Sequence, residues 1–183
     1  MARLIDDLLE YSRLGRKALR FGTVPLAEVM RHLGQDFAHR VAEEGASLQV
    51  APDLPEVRGE ATLLGRLFSN LVDNALTYRH PGEPAQVRID WREEGGRIEV
   101  RVSDRGLGIA PEHQGKIFDV FQRLHGEDEV AGTGIGLAVV KKVAELLDGE
   151  VRVESEPGKG STFVVTLPRP GKPAANTDGD EDE

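Results

Sequence analysis

The chain has 183 residues, a formal charge of −9, 39% hydrophobic and 30% charged residues. That is enough for one packed core with a short appendage and too little for two full domains. No apolar run approaches the roughly 20 residues of a membrane-spanning helix and no charged-then-apolar leader opens the sequence, so a soluble, cytoplasmic protein is expected. The absence of cysteine excludes a disulfide framework, a thiolate zinc site and a cysteine nucleophile, and the acidity argues against a nucleic-acid binder working by phosphate neutralisation.

Taken in chain order, Leu4, Ile5, Leu8, Leu9 and Tyr11 recur at the spacing of an apolar helix stripe, which Gly15 ends. A helix this short is marginal alone in water, so the stripe needs a surface to lie on: a second copy of the chain or a preceding helix. Residues 25–44 read as a helix, with Leu26, Val29, Met30, Leu33 and Phe37 on one face, and Ser47–Ala51 as a short strand. A second helix is expected over Glu60–Tyr78. Strict alternation marks Gln86–Glu93 and Arg97–Asp104 as strands, joined by a Glu94-Gly95-Gly96 hairpin. A helix over Gly134–Leu147 and strands over Glu150–Glu154 and Thr162–Leu167 complete the body. Strands that alternate have one covered and one wet face, which favours a two-layer α/β sandwich over a doubly wound sheet. Residues 168–183 carry two basic groups against five acids and no large apolar side chain, the composition of a disordered acidic tail.

Glycine is clustered. Asp104-Arg105-Gly106-Leu107-Gly108-Ile109 places a carboxylate at a strand end followed by a flexible turn, which reads either as an ordinary Asp/Gly turn or as a backbone wrapped closely around a ligand. Gly132-Thr133-Gly134-Ile135-Gly136-Leu137 runs into a helix start, where free amides and the helix dipole suit a phosphate. Its G-x-G-x-G spacing is not the dinucleotide fingerprint, and Gly158-Lys159-Gly160-Ser161 lacks the residues of a phosphate loop and reads as a hairpin turn. On the second helix Asn70 and Asn74 stand four apart, hence on one face. Their amides fit either capping or exposed positions or, as hard oxygens, Mg2+, which takes few protein ligands and completes its shell with water and phosphate.

The order of these signals carries a resemblance. Asn70-Leu71-Val72-Asp73-Asn74-Ala75, then Asp104-x-Gly106-x-Gly108, then Phe118-x-x-Phe121, then Gly132-Thr133-Gly134-Ile135-Gly136-Leu137 resemble the N, G1, F and G2 boxes of the histidine-kinase ATP-binding domain. The resemblance covers residues 21–167, including the closing Gly160-Ser161-Thr162-Phe163. Residues 1–20 resemble the end of the second dimerisation helix and its linker, and the wording here and at Phe121-Gln122-Arg123-Leu124 is similar to kinases attached to phytochrome-like or other soluble sensors. The implied fold is the α+β Bergerat (GHKL) sandwich with a mixed sheet.

The resemblance also implies the site. Asp104 accepts the adenine amino group, Gly106 and Gly108 let the chain approach the ring, and Ile109, Tyr78 and Thr162 also bind ATP. Asn74 coordinates Mg2+ bridging the triphosphate, with Asn70 beside it. Amides of Gly132, Thr133, Gly134, Ile135, Gly136 and Leu137 cradle phosphates, and residues 122–133 form a mobile lid anchored by Phe118 and Phe121, with Arg123 on its side. The implied cofactors are ATP and Mg2+. The implied partners are the acceptor-histidine helix of the full-length kinase, a response-regulator receiver domain and a homodimeric second copy.

Two departures qualify it. The basic residue that relatives carry three positions after the second asparagine is Thr77 here, leaving Arg79 or Arg123 as substitutes. None of His32, His39, His80, His113 or His125 has the acceptor context, so the acceptor is expected upstream of Met1 and this chain by itself should bind ATP without phosphorylating itself. Two alternatives stay open: a GHKL-type ATPase, whose general base is an acid where Asn70 stands, and a non-catalytic module pairing through Met1–Gly15.

Overall fold

The structure is a computed structural model that describes residues 8, 9, 11, 12, 14, 20–122 and 133–171. Strand β1 (Gly22–Pro25) leads into α1 (Leu26–Glu43), followed by β2 (Ser47–Val50), β3 (Glu56–Gly59), α2 (Ala61–Thr77), β4 (Gln86–Glu94), β5 (Arg97–Asp104), the single turn α3 (Pro111–Gln114), α4 (Gly136–Leu146), β6 (Glu150–Glu156) and β7 (Gly160–Pro168). The two-layer expectation holds: a five-stranded mixed sheet in the order β2-β4-β5-β7-β6, with only β2 parallel to its neighbour, carries the helices on one face.

Alternation explains why. Ile98, Val100 and Val102 of β5 face Leu167, Val165 and Phe163 of β7 in register, and all six are buried in the same cluster as the helix stripes. From α2, Leu64, Leu67, Phe68, Leu71 and Val72 are wholly buried, each contributing about 1.5–3 kcal/mol through apolar area removed from water. The helix starts at a Glu60 side chain that accepts from the N–H groups of Thr62 (3.2 Å) and Leu63 (2.8 Å). The other sheet face is covered by charge. Glu99 lies between Arg92 (2.7 Å) and Arg152 (3.1 Å), and Arg101 reaches Glu154 at 3.1 Å. Stems of these residues leave Val164 beneath them without exposure. A third layer is therefore unnecessary.

Three elements differ from the sequence reading. Strands β1 and β3 form a separate two-stranded antiparallel sheet, with buried Val24 opposite buried Val57, and α3 is a short extra turn. Four-residue strands pairing over more than 30 intervening residues carry too little periodicity to be read locally. Of the amino-terminal stripe, Tyr11 packs against the core, as does Leu14 beyond it, while Leu8 and Leu9 are exposed. Its remaining residues, and the acidic tail from residue 172 on, lie outside the described residues. No helix among the described residues is long and apolar enough to cross a membrane.

Candidate functional site

The sheet positions Asp104 as the last residue of β5, on the helix-facing side by alternation from Val102. Its Oδ1 accepts two backbone hydrogen bonds, from Gly106 N–H (2.8 Å) and Ser161 N–H (3.2 Å), while Oδ2 has no hydrogen-bond partner among the described residues. Burial pushes its pKa up, and the two N–H donors pull it back only in part. A carboxylate fixed by one oxygen, partly desolvated and open at the other, is suited to accept a hydrogen bond from a ligand amino group.

Both glycines after it lie against neighbouring backbone. A Cβ on Gly106 would run into the Tyr78 carbonyl oxygen and lie 2.9 Å from Asp104 Oδ1. On Gly108, at φ +69°, it would run into the Glu156 carbonyl oxygen and lie 2.7 Å from its carbon. The close approach that excludes a side chain is thus backbone on backbone. Tyr78, the residue that caps α2, accepts from Leu107 N–H (2.9 Å), and Gly158 N–H donates to Leu107 C=O (2.8 Å), so the loop is pinned between the end of α2 and the β6–β7 hairpin.

On α2, Asn70 donates from Nδ2 to Arg66 C=O (2.9 Å), which turns Oδ1 toward the start of α4: a Cβ on Gly136 would sit 3.0 Å from it. Helix α4 has Ile135 at its N-cap, and among the described residues no side chain caps its first amides. Asn74 is half-buried, and its side chain forms no hydrogen bond to a described residue. Ile135 sends its side chain wholly into the core, Leu137 and Ile109 are half-buried against it, and Thr133 and Gly134 are half-buried at the entrance. Helix α2 thus meets the Asp104 loop at Tyr78 and, two turns earlier, the start of α4 through Asn70 and Gly136.

Other expected residues fall elsewhere. Thr162 pairs its hydroxyl with Ser103 at 2.9 Å, on the sheet face opposite Asp104 by alternation, whereas the backbone of its neighbour Ser161 reaches the carboxylate. Phe118 packs edge-on against Phe163, with centroids 6.3 Å apart. Phe121 is 55% exposed at φ +66°, and its N–H donates to Gly134 C=O (3.0 Å). Arg79 turns to Glu44 (3.5 Å). Thr77 accepts instead from Arg40 of α1 (3.1 Å), whose guanidinium also holds Asp73 (2.6 Å) and Glu44 (2.7 Å). Arg123, Gly132 and the lid expected between them lie outside the described residues. Sequence reasoning missed Arg40 and Ser161 because one acts across 33 residues and the other through its backbone.

Among the described residues no group of three or more His, Asp or Glu side chains could hold a metal ion. Amide oxygens of Asn74 and Asn70 fit Mg2+ only in partnership with ligand oxygens, as expected for a cation that keeps few protein ligands.

A strand-end carboxylate, a polar face on the neighbouring helix and a helix start suit a ligand that carries both an amino group and an anionic group. A family profile described as "Histidine kinase-, DNA gyrase B-, and HSP90-like ATPase" matches residues 59–171. The chain belongs to that family, as an ATP-binding catalytic domain of the sensor histidine kinase type. It is 37% identical over 179 residues to cyanobacterial phytochrome A of Nostoc sp., covering 98% of this chain and 23% of that protein. It is 40% identical over 171 residues to the sensor-like histidine kinase SenX3 of Mycobacterium tuberculosis, covering 90% of this chain and 41% of that protein. The solved structure of full-length ShkA in complex with AMPPNP is similar with a TM-score of 0.77 at 27% identity, over 93% of this chain and 36% of that one. The chain therefore spans from about a quarter to under a half of these proteins.

Proposed function

We propose that this chain is the phosphoryl-donor half of a protein-histidine kinase, binding Mg2+-ATP and presenting the γ-phosphoryl group to a histidine on a dimerisation helix outside this sequence. The carrying observation is Asp104: Oδ1 engaged by two backbone N–H groups and Oδ2 without a partner among the described residues. Oδ2 accepts the amino group of adenine. The loop from Gly106 to Ile109 and the half-buried Ile109 side chain line the base. Asn70 and Asn74, with the first amides of α4, face the phosphates, and Asn74 with Asn70 holds the metal. Bound Mg2+ supplies charge neutralisation on the phosphate oxygens. Phosphoryl transfer asks little covalent chemistry of a protein, so positioning and charge suffice.

Partners follow from the same reading: the acceptor helix, a response-regulator receiver domain and a second copy of the full-length kinase. The ATPase alternative is disfavoured locally, because Asn70 is an amide bonded to Arg66 C=O and cannot take a proton from water.

Calorimetric titration with a non-hydrolysable ATP analogue, with and without Mg2+, tests the proposal. Saturable binding strengthened by Mg2+ is expected, together with negligible steady hydrolysis by the chain alone. No saturable heat, or turnover without an acceptor protein, contradicts it.

A further inference from the structure

The hairpin turn Gly158-Lys159-Gly160-Ser161, set aside above as a mere connection, reaches the site from behind. Ser155 at the end of β6 stands opposite Ser161 on β7, in a row that ends at Asp104 on β5. Its hydroxyl is 2.9 Å from Gly160 C=O, 2.8 Å from Ile109 N–H and 2.9 Å from Ser161 Oγ. A hydroxyl owns one proton and two acceptor positions. Ile109 N–H must donate and Gly160 C=O must accept, so the Ser155 proton goes to Gly160 and Ser161 donates to Ser155. All three positions of Ser155 are filled.

Each of those contacts bears on the same segment. Ile109 closes the loop that begins at Asp104, and Ser161 supplies the second N–H to Asp104 Oδ1. Gly160, at φ +93°, lies so close to the Asp104 carbonyl that a Cβ would be 2.8 Å from its carbon. From α3, Gln114 Nε2 donates to both Ile109 C=O and Ser155 C=O, each at 2.9 Å. Both polar groups of the Ile109 backbone are thus held by side chains, Ser155 at its N–H and Gln114 at its C=O.

We infer that Ser155 and Gln114 are positioning residues that set the aim of the Asp104 carboxylate and thereby the discrimination between adenine and 6-oxo purines. The inference rests on the proposed reading of Asp104. Removing Ser155 Oγ leaves Ile109 N–H, Gly160 C=O and Ser161 Oγ to find other partners, and the loop and its carboxylate shift together. Such a shift weakens any purine that the loop lines, and weakens further the one that donates to Oδ2.

The test is the ratio of dissociation constants for inosine triphosphate and ATP with Mg2+, measured calorimetrically on the whole chain. Wild type should prefer ATP at least tenfold, because a 6-oxo group presents an acceptor to an acceptor. Ser155→Ala should cut that ratio severalfold, because ATP weakens by a larger factor than inosine triphosphate, and Ser155→Thr should recover part of it. Gln114 sits on a short, half-exposed turn outside the core, so Gln114→Met folds in any case and should move the ratio in the same direction. Unchanged ratios in Ser155→Ala and Gln114→Met, or equal weakening of both nucleotides, overturn the positioning role. A wild-type ratio near one overturns the assignment of Asp104 itself, and the inference with it.

Discussion

Alanine at position 108 separates two accounts of the glycines after Asp104. If Gly108 is needed so that a ligand can approach, Gly108→Ala should weaken nucleotide binding and leave the nucleotide-free protein as stable as wild type. The structure shows a cost that needs no ligand. At φ +69° a non-glycine residue costs roughly 1–2 kcal/mol. The added Cβ would sit 2.7 Å from the Glu156 carbonyl carbon and 3.0 Å from Pro157 Cα, so the hairpin must move away from the loop. That movement weakens the bonds from Gly158 N–H to Leu107 and from Ile109 N–H to Ser155, each worth about 1 kcal/mol net. Together these give a loss of about 3–4 kcal/mol without any ligand, a large part of the roughly 5–15 kcal/mol of a typical domain. For a chain of this size the midpoint of thermal unfolding should fall by on the order of 10 °C, read by circular dichroism. Gly115→Ala, at φ −74° in open space, is the control and should be near neutral. A Gly108→Ala protein that melts with wild type but binds nucleotide poorly would refute the backbone-contact argument.

Asp104→Asn should weaken ATP at least tenfold without loss of stability. Because the native carboxyl holds its proton to higher pH than the unfolded chain does, wild-type stability from this group falls as pH rises from the ordinary aspartate range through the raised native value. The melting temperature of the Asn variant relative to wild type should therefore increase from about pH 3 to pH 7, and a decrease contradicts the burial effect. Arg40→Met should cost about 1–2 kcal/mol at neutral pH, discounted because Arg40 is one-third exposed. The Arg40 hydrogen bond holds Glu44 below the usual carboxylate range, a contribution present above that range and lost as pH falls through the native value. Urea midpoints of the two proteins should converge toward pH 3, and a gap independent of pH removes the ionic explanation.

The sequence by itself determined the elements whose order is local: the apolar stripes of α1, α2 and α4, the alternation of β4 and β5, and hence the two-layer architecture. It also marked Asp104, Asn70 and Asn74, because helix spacing and strand position can be counted along the chain. Only the tertiary structure decided who their neighbours are. The pairing of β1 with β3, the turn of Arg79 to Glu44, the grip of Arg40 on Thr77 and the placing of Ser161 rather than Thr162 beside Asp104 all join residues more than 30 positions apart. Periodicity fixes which face a side chain occupies, but strand register and helix packing fix what lies across from it. The glycines after Asp104 are therefore visible in the sequence as glycines, while the carbonyls that forbid them a side chain belong to Tyr78 and Glu156 and appear only once the chain has folded.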